Sequence, residues 1–503
     1  MSIFSPKKTG RGHRVAALVG VLGLLSGLLG APWAAAEPLS APVRQQIQAL
    51  VAEKESRTPA QRKMDSQLLY ALRLSRGQPV APGVTLSRIG AQADSDGALL
   101  VDVDATVTPE LLEFIRQAGG QIINQFPHFR SIRARVPLAF TETLAAHPEV
   151  KFVQPAVEAI THTGSLNSQG DRTHRADDAR AIFGATGADI KVGVLSDSVD
   201  YLPNSQATGD LPPNVTILPG QSGIPGSGEG TAMLEIIHDL APDAELFFAT
   251  GFGGNANFAQ NIINLRAAGC DIIVDDIGYF NESPFQDAVI ARAVNQVTAA
   301  GALYFSSAAN SGSLKAGTSG TWQGDFADGG AVGAPVDEKG GLLHSFGNTT
   351  YNTVTMPGMA VTLFWSDPLG ASTNDYDLFV LNAAGDEVVT SSTTTQNGGQ
   401  DPYEMAWATA SGQRIVVVKA SGEARFLHID TIRGQLAIGT DGNTKGHATA
   451  TNAFGVAAVD AHDAYPNPFA AGNIVEPFSS DGPRRVFYHA DGTPITPGDF
   501  LST

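Results

Sequence analysis

With 503 residues and a formal net charge of −18, the chain is too long for one hydrophobic core and too acidic for nucleic acid to be its partner. Its one cysteine, Cys270, excludes an internal disulfide. Set between Ala-Gly and Asp-Ile-Ile-Val, it reads as a small packed residue and not as a nucleophile.

Residues 1–36 have the layout of a secretory signal. Lys7, Lys8, Arg11 and Arg14 form a basic start, Val15 to Gly30 is apolar, and Ala34-Ala35-Ala36 offers a cleavage site. The apolar run is short for a membrane span and no second one follows. A secreted or periplasmic protein with no membrane partner after cleavage is expected, a monomer by default. Residues 37–83 read as two helices broken near Thr58-Pro59, with Leu68, Leu69 and Leu72 set against Arg62, Lys63 and Arg73, followed by a Pro/Gly linker. No chemistry is visible there.

Residues 84–160 spell a small α/β unit. Leu99 to Val103 is a strand, and Thr108-Pro109-Glu110 caps a helix that stops at Gly119-Gly120. Strands at Gln121–Asn124 and Ser131–Val136, a helix from Pro137 to Ala146 and a strand at Val150–Val153 complete the order β-α-β-β-α-β, which is ferredoxin-like. Thr161 to Asp171 is polar and Gly/Ser-rich, a place for processing.

Residues 161–335 alternate strand and helix. Strands are expected at Lys191–Leu195, Val215–Leu218, Glu245–Ala249, Asp271–Val274 and Ala302–Ser307, and helices at Thr231–Leu240, Asn255–Ala268 and Pro284–Ala300. The fold class is therefore α/β, a parallel sheet with helices on both faces. Such sheets bind ligands at the carboxyl ends of their strands. Asp197, Asp276 and Asn310 lie at or just past those ends, and Glu229 opens a helix leading to the next strand. Each has an ordinary explanation, such as a helix-terminal charge or a carboxylate on loop amides. Four polar residues converging on one edge point instead to a shared site. Asp275 is expected to point to the other face of its strand. His238 is turned away from Glu229 around the helix, and His447, just before a later strand, is a weak rival base.

Residues 336–439 lose helical periodicity. Short runs such as Val361–Trp365, Asp377–Leu381 and Arg414–Val418, separated by turn residues, read as an inserted β-sandwich. Asn374-Asp375-Tyr376-Asp377 could offer oxygens to calcium but lacks a full ligand loop, so solvated turn carboxylates and no cofactor are expected. Residues 440–503 return to the earlier pattern.

Together these stretches resemble the subtilisin-like serine peptidases and their acid-acting relatives, the sedolisins. The resemblance rests on the strand ending at Asp197, on Gly228-Glu229-Gly230-Thr231 in place of Gly-His-Gly-Thr, on Ala309-Asn310, and on Phe478-Ser479-Ser480-Asp481-Gly482-Pro483 in place of Phe-Ser-Ser-Arg-Gly-Pro. It covers roughly Gly97 to Pro335 and Thr440 to Pro483. It implies Asp197 as orienter, Glu229 as base in the histidine's place and Asn310 as oxyanion donor. Asp276 and Gly278 stand where subtilisins have Ser-Leu-Gly beside the specificity pocket, which makes Gly278 substrate-binding. Asp276 could replace the acid that sedolisins carry four residues after the Glu, where this chain has Met233. It could equally attract a basic side chain or simply bind loop amides. The family's Gly-Thr-Ser-x-Ala-x-Pro, which carries the nucleophile, does not occur, and truncation before it is expected. The implied partners are a protein or peptide substrate and the chain's own propeptide, residues 84–160. The competing readings are a non-catalytic relative that binds or adheres, and a metal-dependent hydrolase, which no His-x-x-x-His spacing supports.

Overall fold

The computed structural model describes residues 39–86, 88–156, 168–332, 340–495 and 501–502. The signal segment and most of the expected processing stretch lie outside these residues. Among the described residues no helix is long and apolar enough to cross a membrane.

Helices α1 (Ala41–Glu55) and α2 (Ser66–Ser75) precede a four-stranded antiparallel sheet. Its strands are β1 (Ala98–Ala105), β2 (Gln121–Phe126), β3 (Ser131–Pro137) and β4 (Val150–Pro155), in the spatial order β2-β3-β1-β4. Helices α3 (Pro109–Gln117) and α4 (Thr141–Ala145) cover one face. Thr108 caps α3 by accepting the Leu111 amide at 3.2 Å. Leu68 and Leu72 of α2 join Val101, Val103, Leu111, Ile115, Ile132 and Val153 in this core.

The central sheet is parallel and six-stranded. Its strands are β5 (Lys191–Ser196), β6 (Val215–Ile217), β7 (Glu245–Thr250), β8 (Ile272–Asp275), β9 (Leu303–Ser307) and β10 (Ala453–Val456), in the order β10-β9-β8-β5-β7-β6. Alternation along the strands divides the core in two. Val192, Val194, Leu246 and Phe248 meet Leu234 of α5 (Glu229–Leu240). Leu195, Phe247 and Ala249 meet α6 (Asn255–Ala267) and α7 (Val289–Ala299) on the other face. A Cβ on Gly193 would come within 3.1 Å of Leu265 and Cys270, so its lack of a side chain lets α6 lie close.

Helix α7 begins at Val289, later than the expected Pro284. The backbone before it serves the C-terminal segment instead. Arg484 donates to the carbonyls of Pro284 (2.7 Å) and Ser283 (3.2 Å), and the Phe487 amide donates to Phe285 (2.9 Å).

Between β9 and β10 the chain forms two antiparallel sheets, beginning with a strand at Thr321–Asp325, earlier than the expected boundary at 336. Their facing residues, including Leu363, Trp365 and Ile429 from one sheet and Leu378, Val380 and Val417 from the other, share one cluster. The outer face of the second sheet is also covered. Phe379, Leu381, Val416 and Val418 pack against Val43, Ile47 and Leu50 of α1 and Tyr70 of α2. This is why the strand Asp375–Leu381 is buried throughout. Asp375 and Asp377 are therefore not solvated turn carboxylates. They sit inside that strand and hold the Lys54 ammonium of α1 at 2.8 and 2.6 Å.

Candidate active site

The neighbouring strands β9, β8 and β5 end level with one another, Leu195 beside Asp275 and Asp275 beside Ser306. The residues just past them, Asp197, Asp276 and the turn at Asn310, therefore emerge on one edge of the sheet.

Asp197 is buried and acts as an acceptor for backbone amides. Its Oδ1 takes the N–H of Ser198 and, at 3.1 Å, of Glu229, and its Oδ2 takes the N–H of Ser227. It thus satisfies otherwise unpaired donors at the start of α5. The sequence is shaped for this approach. Gly223 (φ +71) has a Cβ position only 1.9 Å from the Asp197 carbonyl, and Gly228 opens the helix at φ +82. A Cβ on Gly230 would meet Phe248 at 2.3 Å and the Ser198 carbonyl at 2.5 Å. Asp197 thus holds Glu229 by its backbone amide.

Glu229 is buried, and its Oε2 accepts the Ser196 hydroxyl at 2.7 Å. Its charge is felt by Asp276. Burial, reinforced by the Glu229 carboxylate, pushes the Asp276 carboxyl up to about 7, against a hydrogen bond from Ser307. Met233, one turn beyond Glu229, packs against the Leu234 and Phe248 cluster.

Asn310 follows Ala309, a non-glycine residue at φ 71. The turn is pinned by the Phe-Ser-Ser-Asp segment. The Ser480 amide donates to the Ala309 carbonyl (3.0 Å), the Ser311 amide to Ser480 Oγ (2.9 Å) and the Gly312 amide to the Phe478 carbonyl (2.9 Å). Asp481 collects the Leu314 amide (2.9 Å) and the Asn443 side chain (2.7 Å). Asn310 and Gly278 line one small cavity of about 50 Å3 with Ser307, Arg433 and His447. The structure therefore groups Glu229 with Asp276 and Asn310 with Gly278, and it places the Asp197 carboxylate at the N-terminal start of the helix that carries Glu229.

Beneath this edge lies a second cluster that the sequence reading missed. His447 is buried, with Nδ1 at 2.8 Å from Glu282 Oε1 and Nε2 at 3.1 Å from Asp275 Oδ1 and 3.2 Å from Ser306 Oγ. Burial alone would lower the imidazole's pKa. The charges of Glu282 and Asp275 outweigh it and push it up to about 10. The serine–histidine–acid spacing is superficially that of a nucleophile. A histidine that already holds its proton cannot take another, however, and Ser306 donates its own hydrogen to Asp275 at 2.8 Å. Asp275 and Asp276 take different partners, Ser306 and His447 for the first and Ser307 for the second. A conspicuous signal existed only for His447 itself, since Glu282 stands far from it in the sequence. Among the described residues no group of three or more His, Cys, Asp or Glu side chains could hold a metal ion.

No protein-family model matches the chain, and no curated protein matches it. Among solved structures it is similar to EpiP, the epidermin leader peptide processing serine protease of Staphylococcus aureus, at 14% identity and TM-score 0.30, over 42% of this chain and 60% of that one. It is also similar to fervidolysin of Fervidobacterium pennivorans, a keratinolytic enzyme related to subtilisin, at 15% identity and TM-score 0.28, over 45% of this chain and 42% of that one. A lanthipeptide protease matches at 20% identity and TM-score 0.22, over 29% of this chain and 49% of that one. The chain spans about 60% of the length of EpiP or less of the others. Overlaps this loose carry no argument about function.

Proposed function

We propose that this chain is part of a secreted serine endopeptidase of the subtilisin–sedolisin kind that works in mildly acidic water. The observation that carries the reading is the electrostatic coupling of two carboxylates, Glu229 and Asp276, at the carboxyl edge of a parallel sheet, with Asp276 held near neutrality. Two adjacent carboxylates cannot both ionise easily, so the pair keeps one proton over a wide range. In its singly protonated state it can accept the proton of an attacking serine through Glu229 while Asp276 shares the charge that results. Asp197 fixes the start of α5 and with it the Glu229 backbone. The Asn310 amide would donate to the oxyanion that forms on the substrate carbonyl, and the Gly278 backbone would lie along the substrate. Residues 84–160 would serve as the propeptide. Asn124 of β2 donates to the Gly253 carbonyl at the start of α6 (2.8 Å), which supports a docked, inhibitory unit.

No Gly-Thr-Ser-x-Ala-x-Pro, the motif that carries the nucleophile in the family resembled, occurs in the sequence. The reading requires that serine from a longer chain. Exposed Phe454 and Val456 on the edge strand β10, with Val475 and Phe478 nearby in sequence, support further structure covering this side. The test is to read the coding DNA past codon 503 and express whatever continues it. A chain carrying the motif should cleave denatured protein with an optimum below neutral pH, and Glu229→Gln should abolish cleavage while keeping the fold. Full activity in Glu229→Gln, or robust proteolysis by the 503 residues alone, would overturn the reading. Peptide binding without cleavage in the longer chain would favour a non-catalytic relative.

A further inference from the structure

The charges around the acid pair do not all come from the parallel-sheet domain. The turn Asp430–Gly434, which joins a strand of one antiparallel sheet to a strand of the other, brings Arg433 to the cavity that Asn310 lines. The backbone there is unusual. Ile432 (φ 43) and Arg433 (φ 67) are consecutive non-glycine residues in the left-handed region, and a β-branched residue in that region is a genuine outlier. Such conformations persist only where their surroundings over-determine them. Here they do. The Thr431 amide and hydroxyl both donate to the Gly320 carbonyl (3.0 and 2.9 Å), the Ile432 amide donates to Asp430 Oδ1 (2.7 Å), and the Met359 amide donates to the Ile432 carbonyl (2.8 Å). The Arg433 amide itself donates to Ser311 Oγ at 3.3 Å, one residue from Asn310. A Cβ on Gly358 would lie 1.9 Å from the Thr431 carbonyl, so the turn is clasped from behind.

The groups facing Asp276 come from four elements. Glu229 approaches from α5, Asp275 from its own strand β8, Ser307 from β9 and Arg433 from the turn. Behind Asp275 stand His447 and Glu282. Lys445 also lines the cavity but is paired with Asp430 at 3.0 Å. The Arg433 cation feels both Asp276 and Glu229.

We propose that Arg433, presented by this strained turn, is a positioning residue of the acid pair, and that the two-sheet segment is present in part to supply it. The inference rests on the assignment of Glu229 and Asp276 as the working acids. A cation beside the pair favours loss of its last proton. It therefore lowers the pH at which Asp276 gives up the single proton that the working pair retains. Without it, the two buried carboxylates would hold their shared proton to a higher pH.

The experiment is a carbon-13 NMR titration of the Asp276 carboxyl on the 503-residue chain, with the resonance assigned by Asp276→Asn. Arg433→Gln should raise the midpoint by about one pH unit or more, the usual effect of removing an adjacent opposite charge. Arg433→Lys should bring it back towards the starting value. The fold is checked independently by the amide spectrum, and Arg433→Met replaces Arg433→Gln should the latter not fold. An unchanged Asp276 midpoint in a folded Arg433→Gln or Arg433→Met chain would overturn the proposal, as would a midpoint in Arg433→Lys no lower than in Arg433→Gln. The titration uses no substrate. Failure of the peptidase reading would appear separately, as full activity in Glu229→Gln, and would leave the titration result standing.

Discussion

Asp276 and His447 both lie among carboxylates, Glu229 for the first and Glu282 and Asp275 for the second, and end in opposite roles. Burial, with the repulsion of a second carboxylate added to it, favours the acid form of Asp276 up to about 7. His447 gains two carboxylates, which overcome burial and favour its charged form up to about 10. The consequences for stability follow in sign. A histidine whose pKa rises on folding contributes stability that is fully present below its ordinary value of 6.5. That contribution is lost as pH climbs towards about 10. Urea unfolding of the intact chain should therefore show a falling midpoint across this window, and the fall should be absent in His447→Gln. That variant should also be less stable at pH 6 by about 3–5 kcal/mol, because it leaves Glu282 and Asp275 buried without their cation. Asp276 acts with the same sign in a lower window. Its raised pKa makes ionisation costly in the folded state, so stability should fall between about 4 and about 7. Asp276→Asn should flatten that stretch.

The start of α5 shows how an element can be set by what it lacks. Gly230 lies against Phe248 and the Ser198 carbonyl with no room for a Cβ. Gly230→Ala should cost about 1–3 kcal/mol through overpacking, read in urea, and should displace Glu229 from the Ser196 hydroxyl in a crystal structure. An unperturbed variant would mean that the helix start is free to slide. This element was legible in the sequence, because Gly-Glu-Gly-Thr precedes an apolar helical stripe and follows a strand ending in Asp197. The parallel strands were legible for the same reason, as apolar runs bounded by turns. Two kinds of information were not. The start of α7 was misplaced because Arg484 and Phe487, distant in sequence, take up the backbone of 283–285. Asp375 and Asp377 read as solvated because their cation, Lys54, arrives from the other end of the chain. Arg433 carries no local motif at all. Its role depends on a tertiary neighbour that no period or spacing encodes.

Across the whole molecule, the N-terminal helices bridge two units. Tyr70 and α1 seal the outer face of the second antiparallel sheet, while Leu68 and Leu72 enter the core of the β2-β3-β1-β4 unit. Lys54 is the polar pin of the first contact. Lys54→Ala should cost about 3–5 kcal/mol, since it leaves Asp375 and Asp377 buried without their cation, and should make residues 39–84 the first to be nicked in limited proteolysis. Resistance equal to the parent chain would show that apolar contacts alone hold α1 in place. The two-sheet segment so anchored presents Arg433 to the acid pair, and the parallel sheet presents Glu229 and Asp276 to one another. The account depends on that last pairing. The most direct test is the carboxyl titration of Glu229 and Asp276 together, by carbon-13 NMR on the parent chain and on Glu229→Gln. Coupling predicts one proton retained by the pair to about pH 7, with the Asp276 midpoint falling once the Glu229 charge is removed. Two independent titrations near the ordinary carboxylate value of about 4, with Asp276 unmoved in Glu229→Gln, would contradict it.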